Sequence, residues 1–80
     1  MRVGSQVRIV QDLTSDGSVY CPAGTVGRIV ERVRDAYAEY TRPYGDRKPR
    51  WAFVIEYDRD GYGPERVRMG TTDSRIEAMR

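Results

Sequence analysis

Between residues 35 and 51 the chain gathers the side chains best suited to hold a ligand. Tyr37, Tyr40, Tyr44 and Trp51 are interleaved with Arg42, Arg47, Lys48 and Arg50, against Asp35, Glu39 and Asp46. From Arg42 to Trp51 the balance is four basic residues to one acid. Guanidinium and ammonium groups contact phosphates, and tyrosine rings stack on unpaired bases at about 1–3 kcal/mol each. The same composition suits a protein hot spot, since Tyr, Trp and Arg dominate those. A third reading needs no partner: a solvated hairpin whose tyrosines pack on one another and on arginine stems. Tyr37, Tyr40, Arg42, Tyr44, Arg47, Lys48, Arg50 and Trp51 form the candidate set for binding nucleic acid or a partner protein.

Chemistry of other kinds has little to work with. The chain has no histidine, which removes the commonest general base, the Ser-His and Cys-His nucleophile pairs and the commonest zinc ligand. Carboxylates stand in no recognisable acid-base pair, and a chain of 80 residues has little room for a water-excluding pocket. Asp58-x-Asp60-Gly61 opens like a calcium loop but lacks the later acidic positions, and Glu65 falls at the wrong spacing. Gly24-Thr25-Val26-Gly27 is not a phosphate loop, because no Gly-Lys-Ser/Thr follows and no helix starts there. A non-enzymatic protein with no cofactor or metal is the expectation.

Eighty residues make one domain, near the lower limit for a fold held by its core alone. An apolar fraction of 39% beside a charged fraction of 32% suits a small domain with a solvated exterior. Mean hydropathy is -0.71 and no long apolar run occurs, so no membrane span is expected. The N-terminus enters an alternating pattern at once, with no apolar run of a signal peptide. Cys21 is the single cysteine, so no internal disulfide forms and a reducing, cytoplasmic setting is expected. Thirteen of the fourteen basic residues are arginine, yet the net charge is only +2, so any case for nucleic acid rests on local clustering.

The elements that must position residues 35–51 read as strands. Val3, Val7 and Ile9 alternate with polar neighbours in a first strand, with a kink at Gly4-Ser5. Residues 11–23 read as a long loop whose Leu13 and Val19-Tyr20-Cys21 tuck back over one end. Pro22 and Gly24 lead into a second strand over 25–34. Strict alternation there sets Val26 beside Arg28, so an extra residue absorbed at Gly27-Arg28 is expected to bend the strand, with Val26, Ile29 and Val33 facing the core. Residues 35–50 then protrude as a hairpin or long loop, with the second strand extending as a ribbon as far as Tyr40. Trp51, Phe53, Ile55 and Tyr57 alternate with Ala52, Val54, Glu56 and Asp58, so the large residues face inward. A turn leads to a fourth strand over 65–69 with Val67 and Met69 inward. Residues 75–79 close the chain as a short fifth strand, with a single helical turn capped by Ser74 and Glu77 as the competitor. Arg8, Arg28, Arg32, Arg66 and Arg68 fall on outward strand faces among Glu31 and Glu65, and read as ordinary surface ion pairs.

Gly4-x-x-Val7-x-Ile9, then Gly24-Thr25-Val26-Gly27-x-Ile29, then an aromatic-rich strand ending in Glu56-Tyr57-Asp58, resembles the SH3-like barrel superfamily. The pattern covers roughly Val3 to Met69 and looks most like KOW-type members, found in some ribosomal proteins and transcription elongation factors. It is similar also to a small SH3-like accessory subunit of photosystem I and to short bacterial and phage proteins. The longer first loop and the 35–50 insertion depart from the KOW pattern. The resemblance implies an all-β, five-stranded antiparallel barrel over residues 1–80, acting as a binding module. Its ligand is then nucleic acid or a nucleoprotein complex, or else a protein partner served as an accessory or regulatory subunit.

Overall fold

The alternating stretches become strands, and one register shift decides how they are used. The computed structural model describes residues 1–41, 45, 49–59 and 61–79. Along the chain run β1 (Gln6–Ile9), β2 (Leu13–Ser15), β3 (Ser18–Cys21), β4 (Val26–Arg34), α1 (Ala36–Tyr40), β5 (Trp51–Asp58), β6 (Pro64–Gly70) and β7 (Ile76–Ala78). Five of the strands form one antiparallel sheet in the order β6-β5-β4-β1-β7, and β2 pairs with β3 alone. β6 and β7 stand at the two ends of that order, so among the described residues strand pairing does not close into a ring. No helix among the described residues is long and apolar enough to cross a membrane.

One face of the sheet carries the core. Val7 and Ile9 of β1, Ile29 of β4, Phe53, Ile55 and Tyr57 of β5, Met69 of β6 and Ile76 of β7 form a single buried cluster, joined by Leu13 and Cys21 from the β2-β3 hairpin. Each large side chain fully buried there stabilises by about 1.5–3 kcal/mol. The inward parity expected for β5 holds for Phe53, Ile55 and Tyr57, with Trp51 half-buried at the strand's start.

The bend in β4 differs in place from the expectation. Val26 is 44% exposed and does not join the core, while Gly27 and Ile29 face inward. The reason is steric: a Cβ on Gly27 would stand 2.7 Å from Ile55 Cγ2 and 2.8 Å from the Glu56 carbonyl oxygen. β4 and β5 approach too closely there for any side chain, so glycine takes the inward position and its neighbours face out. The extra residue is Val30, because Ile29 pairs with Ile55 and Glu31 already pairs with Val54. Beyond this bulge the parity is reversed. Arg32 now lies opposite Phe53 and Arg34 opposite Trp51, while Val33 pairs with Ala52 on the other face.

The expected loop over residues 11–23 is a hairpin instead. Asp16 (φ 51°) and Gly17 (φ 80°) take the two positive-φ positions of a type I′ turn between Ser15 and Ser18. Leu13 and Cys21 do tuck into the core, whereas Val19 points to solvent. Residues 76–78 pair with β1 as a strand, and Met79 N–H donates to the Gln6 carbonyl at 3.1 Å. The helical turn does not compete, because Asp73 Oδ1 already accepts from Arg75 N–H at 2.9 Å and holds a tight bend.

The close approach at Gly27 makes a definite prediction. Gly27→Ala is expected to destabilise by about 1–3 kcal/mol through overpacking, read as a lower urea midpoint at unchanged slope. Gly70→Ala is the control, since nothing lies within 4 Å of its Cβ position; its midpoint should hold or rise slightly. Equal midpoints for Gly27→Ala and wild type would contradict the steric account.

Candidate functional site

The insertion leaves the sheet at Arg34 and returns at Trp51, and its base is tied by short polar contacts. Asp35 N–H donates to the Arg50 carbonyl at 2.9 Å, extending the β4-β5 ladder by one bond. The chain then turns into α1 and not, as expected, into a strand ribbon reaching Tyr40. Asp35 is the cause: its carboxylate accepts from Ala38 N–H at 3.0 Å and caps the helix. Ala36 and Ala38 favour the helical turn that follows.

Glu39 closes the base. Its Oε1 accepts from Arg34 Nε–H at 2.6 Å and from the Arg50 backbone N–H at 3.0 Å. One carboxylate oxygen therefore links the end of β4, the helix and the start of β5. The Arg50 N–H, and after it the Arg34 guanidinium, hold the Glu39 carboxyl below its ordinary value.

Of the expected site residues, the structure describes four. Tyr37 and Tyr40 lie three apart on α1 and are 78% and 87% exposed, so they share one helix face and touch no core. Arg50 and Trp51 lie at the other foot of the insertion, both half-buried, and line a groove of about 260 Å³ with Asp35, Ala38 and Gly70. Neither tyrosine lines that groove, so the aromatic set divides into an outward helix face and a half-buried indole. Arg42, Tyr44, Arg47 and Lys48 lie outside the described residues.

Trp51 has cationic neighbours that the sequence reading missed. The Arg32 guanidinium carbon stands 4.2 Å from the indole centroid and that of Arg34 stands 5.4 Å away. Such contacts stabilise by about 0.5–1 kcal/mol at exposed sites. The Val30 bulge puts both arginines there, and strict alternation gives no hint of it. The surface arginines expected to form ordinary ion pairs divide accordingly. Arg8 pairs with Glu77 at 3.4 Å and Arg66 with Glu56 at 3.1 Å, as ordinary surface ion pairs, and Arg28 donates to the Gly4 carbonyl at 3.4 Å. Arg32 instead lies over Trp51.

Other chemistry is poorly served here. Among the described residues no group of three or more His, Cys, Asp and Glu side chains could hold a metal ion. Cys21 is buried, and desolvation raises its thiol above the ordinary value against a smaller lowering from a Thr25 hydrogen bond. It is therefore protonated at neutral pH and a poor nucleophile. What these residues present is aromatic rings and cationic groups.

Glu39 provides a pH signature. Its folded value is depressed, so its contribution to stability is present above the unfolded value of about 4.3 and is lost as pH falls through the folded value. The Arg50 amide resonance should titrate with a midpoint below that ordinary value, and Glu39→Gln should abolish the titration. A midpoint at or above it would remove Glu39 from the role of clasp. Comparison with protein-family models, with curated proteins and with solved structures finds no match for the chain.

Proposed function

We propose that this chain is an SH3-like barrel of the KOW-like kind, working as a small non-enzymatic binding module that contacts nucleic acid or a nucleoprotein complex through residues 35–51. Support for the barrel comes from β4, which pairs with β1 along its first half and with β5 along nearly its whole length, and bends at Val30 between them. Support for the ligand comes from one arrangement: an indole covered by guanidinium groups beside a helix that turns two tyrosines to solvent. Arg42, Arg47 and Lys48 follow in the same insertion and add charge without a matching number of acids. Phosphates would meet the cations and unpaired bases would meet the phenol rings. A single cysteine, buried and unpaired, suits a reducing cytoplasmic setting.

A second reading is a protein-binding accessory or regulatory subunit, of bacterial or phage type, using the same insertion or a free sheet edge. The exposure of Tyr37 and Tyr40 favours it, because exposed aromatics near arginine are typical of interface anchors.

Salt dependence separates the two. Fluorescence anisotropy of labelled single-stranded RNA, single-stranded DNA and duplex DNA should show micromolar or tighter binding at low salt. For a single strand, the triple variant Arg42→Ala, Arg47→Ala, Arg50→Ala should lower the slope of log affinity on log salt by about 2, at roughly 0.7 for each phosphate no longer neutralised. Absence of binding to any of these nucleic acids at low salt would overturn the nucleic-acid reading. Protein capture that depends on Tyr37, Tyr40 or Trp51 and little on salt would then carry the second.

A further inference from the structure

Away from the insertion, the segment before β1 runs on beside β4 and borders a groove of about 610 Å³, lined by Met1, Arg2, Val3, Arg32, Phe53 and Thr71. Two features build it. Gly4, at φ 93°, turns the chain, and its N–H donates to the Ile29 carbonyl at 2.8 Å while Ile29 N–H donates to the Ser5 carbonyl at 3.0 Å. Residues 1–3 are thereby pinned beside the bulged part of β4. The bulge itself sets Arg32 opposite Phe53, so a guanidinium stands on the same face as an aromatic floor.

The two arginines in this groove lack the acidic partner that five other arginines have, as Arg28 and Arg68 also do among the described residues. Arg8, Arg34, Arg59, Arg66 and Arg75 each have a carboxylate oxygen within 4.0 Å. Arg2 and Arg32 have no carboxylate partner among the described residues, and no acidic residue lines the groove. Arg32 is held in place by the Trp51 ring at 4.2 Å, which leaves its N–H edges available to an acceptor. Met1 and Val3 form apolar walls, both about half exposed, and Phe53 forms the buried floor. The volume falls within the range of about 300–1,000 Å³ usual for sites that hold a compact ligand.

Two uncompensated guanidiniums around an apolar slot match a polyanion that also carries flat apolar groups. We infer that this groove is a contact for single-stranded nucleic acid, with Arg2 and Arg32 meeting phosphates and a base seated against Met1, Val3 and the edge of Phe53. The inference rests on the nucleic-acid reading above and adds to it a second surface and a strand preference. A duplex keeps its bases stacked inside and offers the groove only phosphates, whereas a single strand can seat a base.

The test compares an oligothymidylate of about 12 nucleotides, within the usual single-strand site size, with a duplex of equal length. Arg2→Gln/Arg32→Gln should bind the single strand about ten-fold or more weakly, with the salt slope lower by about 1.4 for two phosphate contacts. Duplex affinity should fall less, because a duplex offers the two arginines phosphates but seats no base. Val3→Ser alters no charge and should weaken the single strand alone. Wild-type affinity and slope in the double arginine variant would overturn the groove; a weakening in the Arg42/Arg47/Arg50 variant would then leave the nucleic-acid reading standing. Equal weakening of single strand and duplex, or no effect of Val3→Ser, would overturn base seating in the groove. Failure of the wild-type protein to bind any nucleic acid at low salt would overturn that reading and the groove together. Circular dichroism of each variant confirms that the exposed substitutions leave the fold intact.

Discussion

The contact between β4 and β5 at Gly27 is the constraint on which the other features depend. With Ile55 Cγ2 and the Glu56 carbonyl where a Cβ would sit, only a residue without a side chain can face inward there. That fixes the parity of the first half of β4, with Val26 and Arg28 outside and Ile29 in the core. Had the strand continued unbroken, Arg32 and Arg34 would have stayed on the outer face with Arg28. The extra residue at Val30 reverses the parity and brings both arginines to the face of Phe53 and Trp51. A packing restriction in the core thus determines which charges meet which aromatic rings several residues away.

The two halves of β4 consequently live in different surroundings. The first half buries Ile29 and pairs with β1, whose Val7 and Ile9 complete the same cluster. The second half borders solvent and carries cations that the core does not need. Their treatment is uneven: Arg34 is bound by Glu39, while Arg32 rests on the indole. An ion pair satisfies a guanidinium and removes it from the pool available to a ligand. A cation–π contact orients the group yet leaves its donors open. Arg34 and Glu39 therefore read as structural, fastening the insertion, and Arg32 as the member left able to bind.

Much of this fold is legible in the chain, and the misreadings have physical causes. β5 is legible because a large side chain occurs at every second position from Trp51 to Tyr57. β1 is legible for the same reason through Val7 and Ile9. The bend in β4 is legible too, but local pattern points to Gly27 as its hinge, when the role of Gly27 is steric and the bulge falls on a β-branched valine. The β2-β3 hairpin carries a strong local signal in Asp16-Gly17, masked by the polar residues around it, since only Leu13 and Cys21 are buried in the core and Tyr20 packs against it half-buried. At α1 the β-propensity of Tyr37 and Tyr40 points away from the helix that Asp35 caps. Arg50 and Trp51 stand out by composition alone, whereas Arg32 and Arg34 depend on a register that no local pattern expresses.

The division of the aromatic residues bears on how such a surface could bind. Tyr37 and Tyr40 are presented on a helix of five residues, too short to be stable alone. It is held by the Asp35 cap and the Glu39 clasp at its base. Trp51 and Arg32 sit on the sheet itself, where the ladder and the core fix their positions. A ligand touching the sheet surface meets groups already in place and loses little entropy in ordering them. One touching the helix must also hold side chains that otherwise move freely in solvent. The sheet surface is therefore suited to set affinity, and the tyrosines are suited to extend a contact that the arginines and the indole have begun.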